Sequence, residues 1–304
     1  MIIWNHNCIY CLKIILYVFI IMLNNELIYE YPHAKRLIII GDVHGDLKRF
    51  KNILKDANII NDDLEWIASP PDTIVVQLGD QVDSLNRNPV IENWEILEDY
   101  NMLYFTNSLH NIAKTKGGKV ISLIGNHELM NVIGDFSYVS PQSRIANRQK
   151  YFQPTGTLSS ILAYRPIVVK IGELFFCHAG IKKEHIQLLR DANKPIEYLN
   201  ELWKNFILTG NILIEDQAIF QNIIIGMSGI LWNRELDDQI NDILKILGCE
   251  YMFIGHNPVE KIQIQNDKIW LVDTCISRAF GGNTYQYIDI NDFSISVKTI
   301  NENI

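Results

Sequence analysis

Five times in this chain a short apolar run ends on a turn that carries Asp, Asn or His. The runs are Arg36-Leu-Ile-Ile-Ile40, Asp72-Thr-Ile-Val-Val-Gln-Leu78, Lys119-Val-Ile-Ser-Leu123, Leu174-Phe-Phe-Cys177 and Tyr251-Met-Phe-Ile254. Short β-rich runs bounded by glycine or a turn read as buried strands. The turns that follow hold Asp42 and His44, Asp80 and Asp83, Asn126 and His127, His178, and His256. An isolated Asn-His pair would read as a polar turn capping the next helix. Recurrence of the same design argues instead for one site at the carboxyl edge of a sheet, where open α/β sheets place their ligands.

Between these turns the sequence turns helical. Asp46 occupies an N-cap position ahead of 47–59, where Leu47, Phe50, Ile53 and Leu54 repeat at helical spacing. A second helical pattern runs over 91–113 and stops at Lys116-Gly-Gly118. Strand, ligand loop and helix three times over is the sign of a sheet with crossover helices. Further along, 166–177 reads as a β-hairpin turning on Gly172-Glu173, 182–225 reads as helical with long polar loops, 236–247 reads as helical, and 284–300 reads as a final hairpin.

The chain has eight histidines, and His44, His127, His178 and His256 all fall in the strand-end turns; His6, His33, His110 and His185 have no such context. Carboxylates, imidazoles and one amide together suit a pair of divalent ions of borderline hardness, such as manganese, iron or zinc, whereas an all-oxygen set would favour magnesium or calcium. Two such ions about 3.5–4 Å apart clamp a phosphoryl group and lower the pKa of a bridging water towards neutrality.

The words Gly41-Asp-x-His-Gly45, Gly79-Asp-x-x-Asp83, Gly125-Asn-His-Glu128, His178-Ala-Gly180 and Gly255-His256 resemble the signature of the calcineurin-like metallophosphoesterases. Their internal spacing resembles the phosphoprotein phosphatases. Gly79-Asp-Gln-Val-Asp83, Asn126-His-Glu-Leu-Met-Asn131, Gly229-Ile-Leu-Trp232 and Asp273-Thr-x-x-Ser277 resemble the Shewanella-like protein phosphatases among them. The resemblance extends over about 37–282. It implies an α/β fold with a central β-sandwich of mixed sheets flanked by helices, in four layers α/β/β/α. It implies that Asp42 and His44 hold one ion, that Asp80 bridges, and that Asn126, His178 and His256 hold the other. Hydroxide bridging the ions would attack phosphorus in a phosphate monoester of a protein or small molecule. His127 would be general acid to the leaving oxygen, with Asp83 orienting it; Glu128 is expected to bond back to its own loop.

One departure stands out. The phosphoprotein phosphatases continue the second word as Asp-Arg-Gly, and that Arg binds phosphate; here Ser84-Leu85 follows Asp83. The phosphate clamp must then come from elsewhere, and Arg148 and Arg234, beside family-like words, are the candidates, with Arg87 a weaker one. Bidentate guanidinium geometry is what makes Arg suited to the task. A dinucleoside-polyphosphate hydrolase shares the first three words and remains an alternative, as does a pseudophosphatase that binds without turnover.

Composition narrows the partners. A net charge of −8 and a pI near 5.5, with no basic stripe, argue against nucleic acid. The five cysteines are odd in number and irregularly spaced, so they form no disulfide framework. Cys8-x-x-Cys11 lies inside an apolar run without a second such pair and reads as small apolar residues. From 9 to 23 the only charge is Lys13, which suits a signal-peptide core or a short membrane anchor. The expected division is a hydrophobic leader at 1–30 and a catalytic domain at 31–304, with membrane association through 9–23 placing the protein at a membrane or in an export route, and the cytoplasm otherwise.

Overall fold

Apolar runs with no polar partner face must be covered on both sides, and the five runs before the ligand turns are buried over most of their length. The computed structural model describes residues 27–85 and 98–302. The 9–23 segment, Cys8, Cys11 and Arg87 lie outside the described residues. Among the described residues no helix is long and apolar enough to cross a membrane.

Among the described residues, eleven strands make two mixed sheets. In the first, β2 (Arg36–Ile40), β3 (Ile74–Gln77) and β4 (Lys119–Ser122) run parallel, and the antiparallel strands β10 (Thr284–Asn291) and β11 (Ser294–Asn301) extend it past β2. In the second, β6 (Leu174–Cys177), β7 (Tyr251–Ile254) and β9 (Ile269–Leu271) are parallel. Antiparallel β5 (Val168–Ile171) and β8 (Gln263–Gln265) flank that trio, and β1 (Glu30–Tyr31) pairs with β5 at the margin. The expected hairpins at 166–177 and 284–300 are both formed. Glu30 pairs with Lys170 and Tyr31 with Ile171 at that margin.

Period-two alternation sorts the side chains into layers. Leu37, Ile39, Val76, Ile121 and Leu123 meet Val169, Ile171, Phe176, Phe253 and Val272 between the sheets. Phe253 stacks on Phe176 at 5.1 Å and on Trp270 at 6.0 Å, filling the middle of the sandwich. The alternate residues Ile38, Ile40, Val75 and Val120 face outward onto helices α1 (Leu47–Asp56) and α2 (Glu98–Thr115). On the far side Phe175, Cys177, Met252 and Ile254 are covered by later helices, including Leu189, Leu202, Trp203 and Ile243. The four layers α/β/β/α expected from the sequence are thus present. Each fully buried Ile, Leu or Phe contributes roughly 1.5–3 kcal/mol of transfer free energy, which explains why near-continuous apolar strands are needed.

Helix starts and stops follow their local chemistry. Asp46 caps α1, its side chain accepting the Arg49 amide hydrogen at 3.2 Å. The helix buries Leu47, Phe50, Ile53 and Leu54, the face read from spacing. Helix α3 (Asn126–Ile133) begins directly at the strand-end turn after β4, and the short α4 (Arg148–Phe152) follows it.

Candidate active site

The carboxyl ends of β2, β3 and β4 in one sheet and of β6, β7 and β9 in the other meet at one place. Asp42, Asp80 and Asn126 come from the first sheet; His178, His256 and Asp273 come from the second. All of these except His178, which lies buried behind them, line a cleft of about 180 Å³ whose walls also include His44, His127, Tyr138, Trp232, Arg234 and Phe280. Two acid–imidazole groups share Asp80: His44, Asp80 and His127 in one, Asp80, His178 and His256 in the other, with ligand atoms in each within 4.8 Å of one another.

Each histidine has one ring nitrogen anchored, so the other faces the cleft. Nδ1 of His44 lies 3.3 Å from the Val82 carbonyl and Nδ1 of His178 lies 2.7 Å from the Leu78 carbonyl. Their Nε2 atoms then stand 3.8 and 3.4 Å from the Asp80 carboxylate. Nε2 of His178 also lies 3.0 Å from the Asn126 side-chain oxygen. His256 is reversed: its Nε2 is 3.1 Å from the Trp232 carbonyl, which leaves Nδ1 as its second position. Asp42 is turned onto the His256 amide, which donates to its two oxygens at 3.2 and 3.0 Å.

The backbone is bent hard to do this. His44, Asp80, Asp83 and His256 all have left-handed φ, at 38°, 53°, 72° and 60°. Such residues cost on the order of 1–3 kcal/mol each unless the surroundings hold them. Glu128 supplies much of that hold. Its carboxylate accepts amide hydrogens from Gly125, Asp80, Gln81 and Val82 at 2.8, 2.9, 2.7 and 3.2 Å, tying the loops after β3 and β4 together. The expectation that Glu128 bonds back to its own loop is met at Gly125 and extends to the neighbouring loop. Glycine is required at Gly125 and Gly255 by close approach: a Cβ there would overlap Asp80 and Asp42, respectively.

Electrostatics fit a cation site. Burial pushes the Asp42 carboxyl well above its usual range, and nearby Asp273 and Asp80 push it further. Burial likewise raises Asp273 to about 6. Burial acts the same way on Asp80, but His178 and His127 outweigh it and hold its carboxyl well below the ordinary range. Burial, reinforced by His178, draws His256 down to about 3, so that imidazole is neutral, the form that ligates metal. Buried carboxylates crowded this closely, with Asp42 and Asp273 pushed up and His256 neutral, are an unfavourable arrangement alone and a favourable one around divalent ions.

Beside this cluster stands the expected pair. Nδ1 of His127 and Oδ2 of Asp83 are 2.8 Å apart, and Nε2 of His127 points towards Asp80 at 3.8 Å. His127 also packs edge-on to His44 and to Tyr138, with centroids 4.7 and 5.1 Å apart. Ser84, where an Arg was absent, is buried and bonds to Ser140 at 3.1 Å, tying the loop after β3 to the segment bearing Tyr138.

The two candidate arginines separate. Arg234 lines the cleft and donates to the His256 carbonyl at 2.9 Å. Arg148 does not reach the cleft. It is buried, and its nitrogens donate to the Asn131 side chain, the Ser143 carbonyl and Asp99 at 2.8, 3.0 and 2.8 Å. The expectation that Arg148 faces the phosphate is corrected on that ground: the three guanidinium nitrogens are already spent inside the protein. Sequence reasoning also passed over Asp273 as a site residue, although it follows an apolar strand as the other five ligand turns do.

The chain belongs to the calcineurin-like phosphoesterases, whose family profile matches residues 35–260. Among curated proteins it is similar to Shewanella-like protein phosphatase 2 of Arabidopsis thaliana, 36% identical over 339 residues that cover 90% of this chain and 79% of the relative. It is also similar to Shewanella-like protein phosphatase 1 of Plasmodium berghei (strain Anka), 27% identical with 88% and 75% covered. Its fold is similar to that of a cold-active protein-tyrosine phosphatase of a psychrophilic Shewanella species, at TM-score 0.73 and 20% identity, covering 92% of this chain and 84% of that one. A protein serine/threonine phosphatase of Saccharomyces cerevisiae shares the fold at TM-score 0.62 and 14% identity, covering 97% and 90%.

Proposed function

We propose that this chain is a metal-dependent protein phosphatase in which His127 protonates the leaving oxygen of a phosphate monoester. The observation that carries the reading is the pair of acid–imidazole groups sharing Asp80, set beside the His127–Asp83 hydrogen bond in one cleft. Asp42, His44 and Asp80 are assigned to one divalent ion, and Asp80, Asn126, His178 and His256 to the other. Manganese is the assigned metal, because mixed carboxylate, amide and imidazole donors suit ions of borderline hardness. Such ions, when bound, neutralise phosphoryl oxygens and lower the pKa of a water to near neutrality.

The remaining work falls to side chains. His127 is grouped by distance with His44 and Asp80, yet its Nδ1 is committed to Asp83. In the imidazolium form, that contact leaves the Nε2 proton facing the cleft, within reach of a leaving oxygen. Arg234, on the cleft wall, is assigned to the phosphoryl oxygens. The intact acid pair favours turnover over a pseudophosphatase.

The test is phosphate release from an aryl phosphate and from phosphoserine, phosphothreonine and phosphotyrosine peptides, with diadenosine tetraphosphate alongside. Release from the monoesters is expected with added manganese and is expected to vanish with chelator or in Asp80→Asn. His127→Asn should keep its metal and lose at least about 10²-fold in kcat, the usual share of a general acid. Turnover that survives removal of metal would overturn the proposal, and turnover of the dinucleotide alone would transfer it to the polyphosphate hydrolases.

A further inference from the structure

Asp83 is held from both of its ends, and both holds lead to Arg148. At the side chain, Oδ1 of Asp83 accepts a hydrogen from the Asn131 amide at 2.8 Å, while Oδ2 faces Nδ1 of His127. At the backbone, the Asp83 N–H donates to Oδ1 of Asp99 at 3.0 Å, in a residue whose φ is 72°. Arg148 joins the two holders, with Nε donating to the Asn131 oxygen at 2.8 Å and Nη2 donating to Oδ2 of Asp99 at 2.8 Å. The guanidinium also stands 3.6 Å from Asp83 itself and lies over the Phe152 ring at 4.5 Å. Arg148 is 4% exposed and Asp83, Asp99 and Asn131 are fully buried, so water does not compete for these contacts.

We infer that Arg148 is a positioning residue that acts through Asn131 and Asp99 to fix Asp83, and through Asp83 the His127 ring. A planar guanidinium suits the task because one rigid fork spans two acceptors at a set angle, which an ammonium cannot do. Asn131 can bridge because its amide carries a donor for Asp83 and an acceptor for Arg148 at once. A left-handed Asp at a turn is free to swing unless its own N–H is fixed, and Asp99 fixes it. Loss of Arg148 removes the support on which Asn131 and Asp99 both lean, and Asp83 then has no set direction in which to offer Oδ2. The consequence falls on proton delivery, not on phosphate binding.

This inference rests on the reading of His127 as acid, and the experiment separates the two. Steady-state rates are measured on 4-nitrophenyl phosphate, whose leaving group needs little protonation, and on phenyl phosphate, whose phenol has a pKa of about 10. His127→Asn is the reference; it should lower kcat far more on phenyl phosphate than on the nitrophenyl ester. Arg148→Met is expected to show the same split, with kcat down about 30-fold on phenyl phosphate, less than 3-fold on the nitrophenyl ester, and KM unchanged for both. Arg148→Lys keeps a cation for Asp99 but lacks the fork; it is expected to fold and to show the split at smaller amplitude, and it carries the test where the Met variant does not fold. A raised KM with unchanged kcat, or an equal fall on both esters, in either variant overturns the inference. Absence of the split in His127→Asn overturns the acid reading instead.

Discussion

Arg148 shows what a single residue can and cannot reveal before its partners are known. Its neighbourhood in sequence made it a phosphate candidate; its guanidinium turned out to be enclosed by Asp99, Asn131 and the Ser143 carbonyl. Nothing in the linear order says that Asp99, 49 positions upstream, will meet it. Burial holds the Asp99 carboxyl up at about 6, with Arg148 pulling the other way. A folded pKa above the unfolded value means that stability present below pH about 4 is lost as pH rises through about 6. Removing Arg148 takes away the opposing pull, so the Asp99 carboxyl rises further and at neutral pH must either take up a proton or stand as a buried charge without its cation. Arg148→Met is therefore expected to lose about 3–5 kcal/mol of stability at pH 7.5 and clearly less at pH 5, as read from urea unfolding at the two pH values. Equal losses at both would show that packing over Phe152, not charge, is what the substitution removes. The metal-ligand candidates were easier to read, because each sits within a few residues of a strand end and needs no distant partner to be noticed.

At the scale of elements, the strands were legible and the helix ends less so. An apolar strand buried on both faces, such as β2 or β7, announces itself by composition. The stretch 182–225, read as helices with long polar loops, includes Lys183–Asp191, Tyr198–Thr209 and a π-helical turn at Phe220–Ile225, and amphipathic spacing alone does not mark where each short helix stops. Strand ends carry a further constraint that periodicity cannot express, namely how closely two of them approach. Gly255 follows β7 where the Asp42 carboxylate of β2's loop occupies the space a Cβ would need. Gly255→Ala is expected to displace Asp42, lowering kcat/KM by about 10²-fold, the scale on which about 1 Å of misplacement acts. Metal content measured on the same sample should fall with it. Full activity and full metal content would mean that the loop yields elsewhere.

For the whole molecule the decisive fact is that two sheets aim their ligand-bearing edges at a common centre. The class of fold could be read from alternating strands and helices and from the family resemblance. The order β11-β10-β2-β3-β4 could not, because β10 comes from near the end of the chain and pairs beside the first long strand, a contact of 249 positions at Ile288–Ile39. Acidic groups from both sheets face one another there, so ion binding should strengthen the fold and not only the chemistry. Manganese at 100 times its Kd would add about 2.7 kcal/mol by mass action. A thermal melt is expected to rise by several degrees on adding manganese, and by much less in Asp80→Asn, because Asp80 belongs to both ligand groups. A melt insensitive to manganese would place the ions outside the folding balance.

Glu128 gives this architecture one more consequence. Because its carboxylate gathers amides from the loops after β3 and β4, those loops are spliced at a fixed length. An added or deleted residue between Gly79 and Val82 would shift three donors out of register with one acceptor. A change of length is expected to be tolerated more readily in segments that make no bond to Glu128, such as the stretch bearing Tyr138.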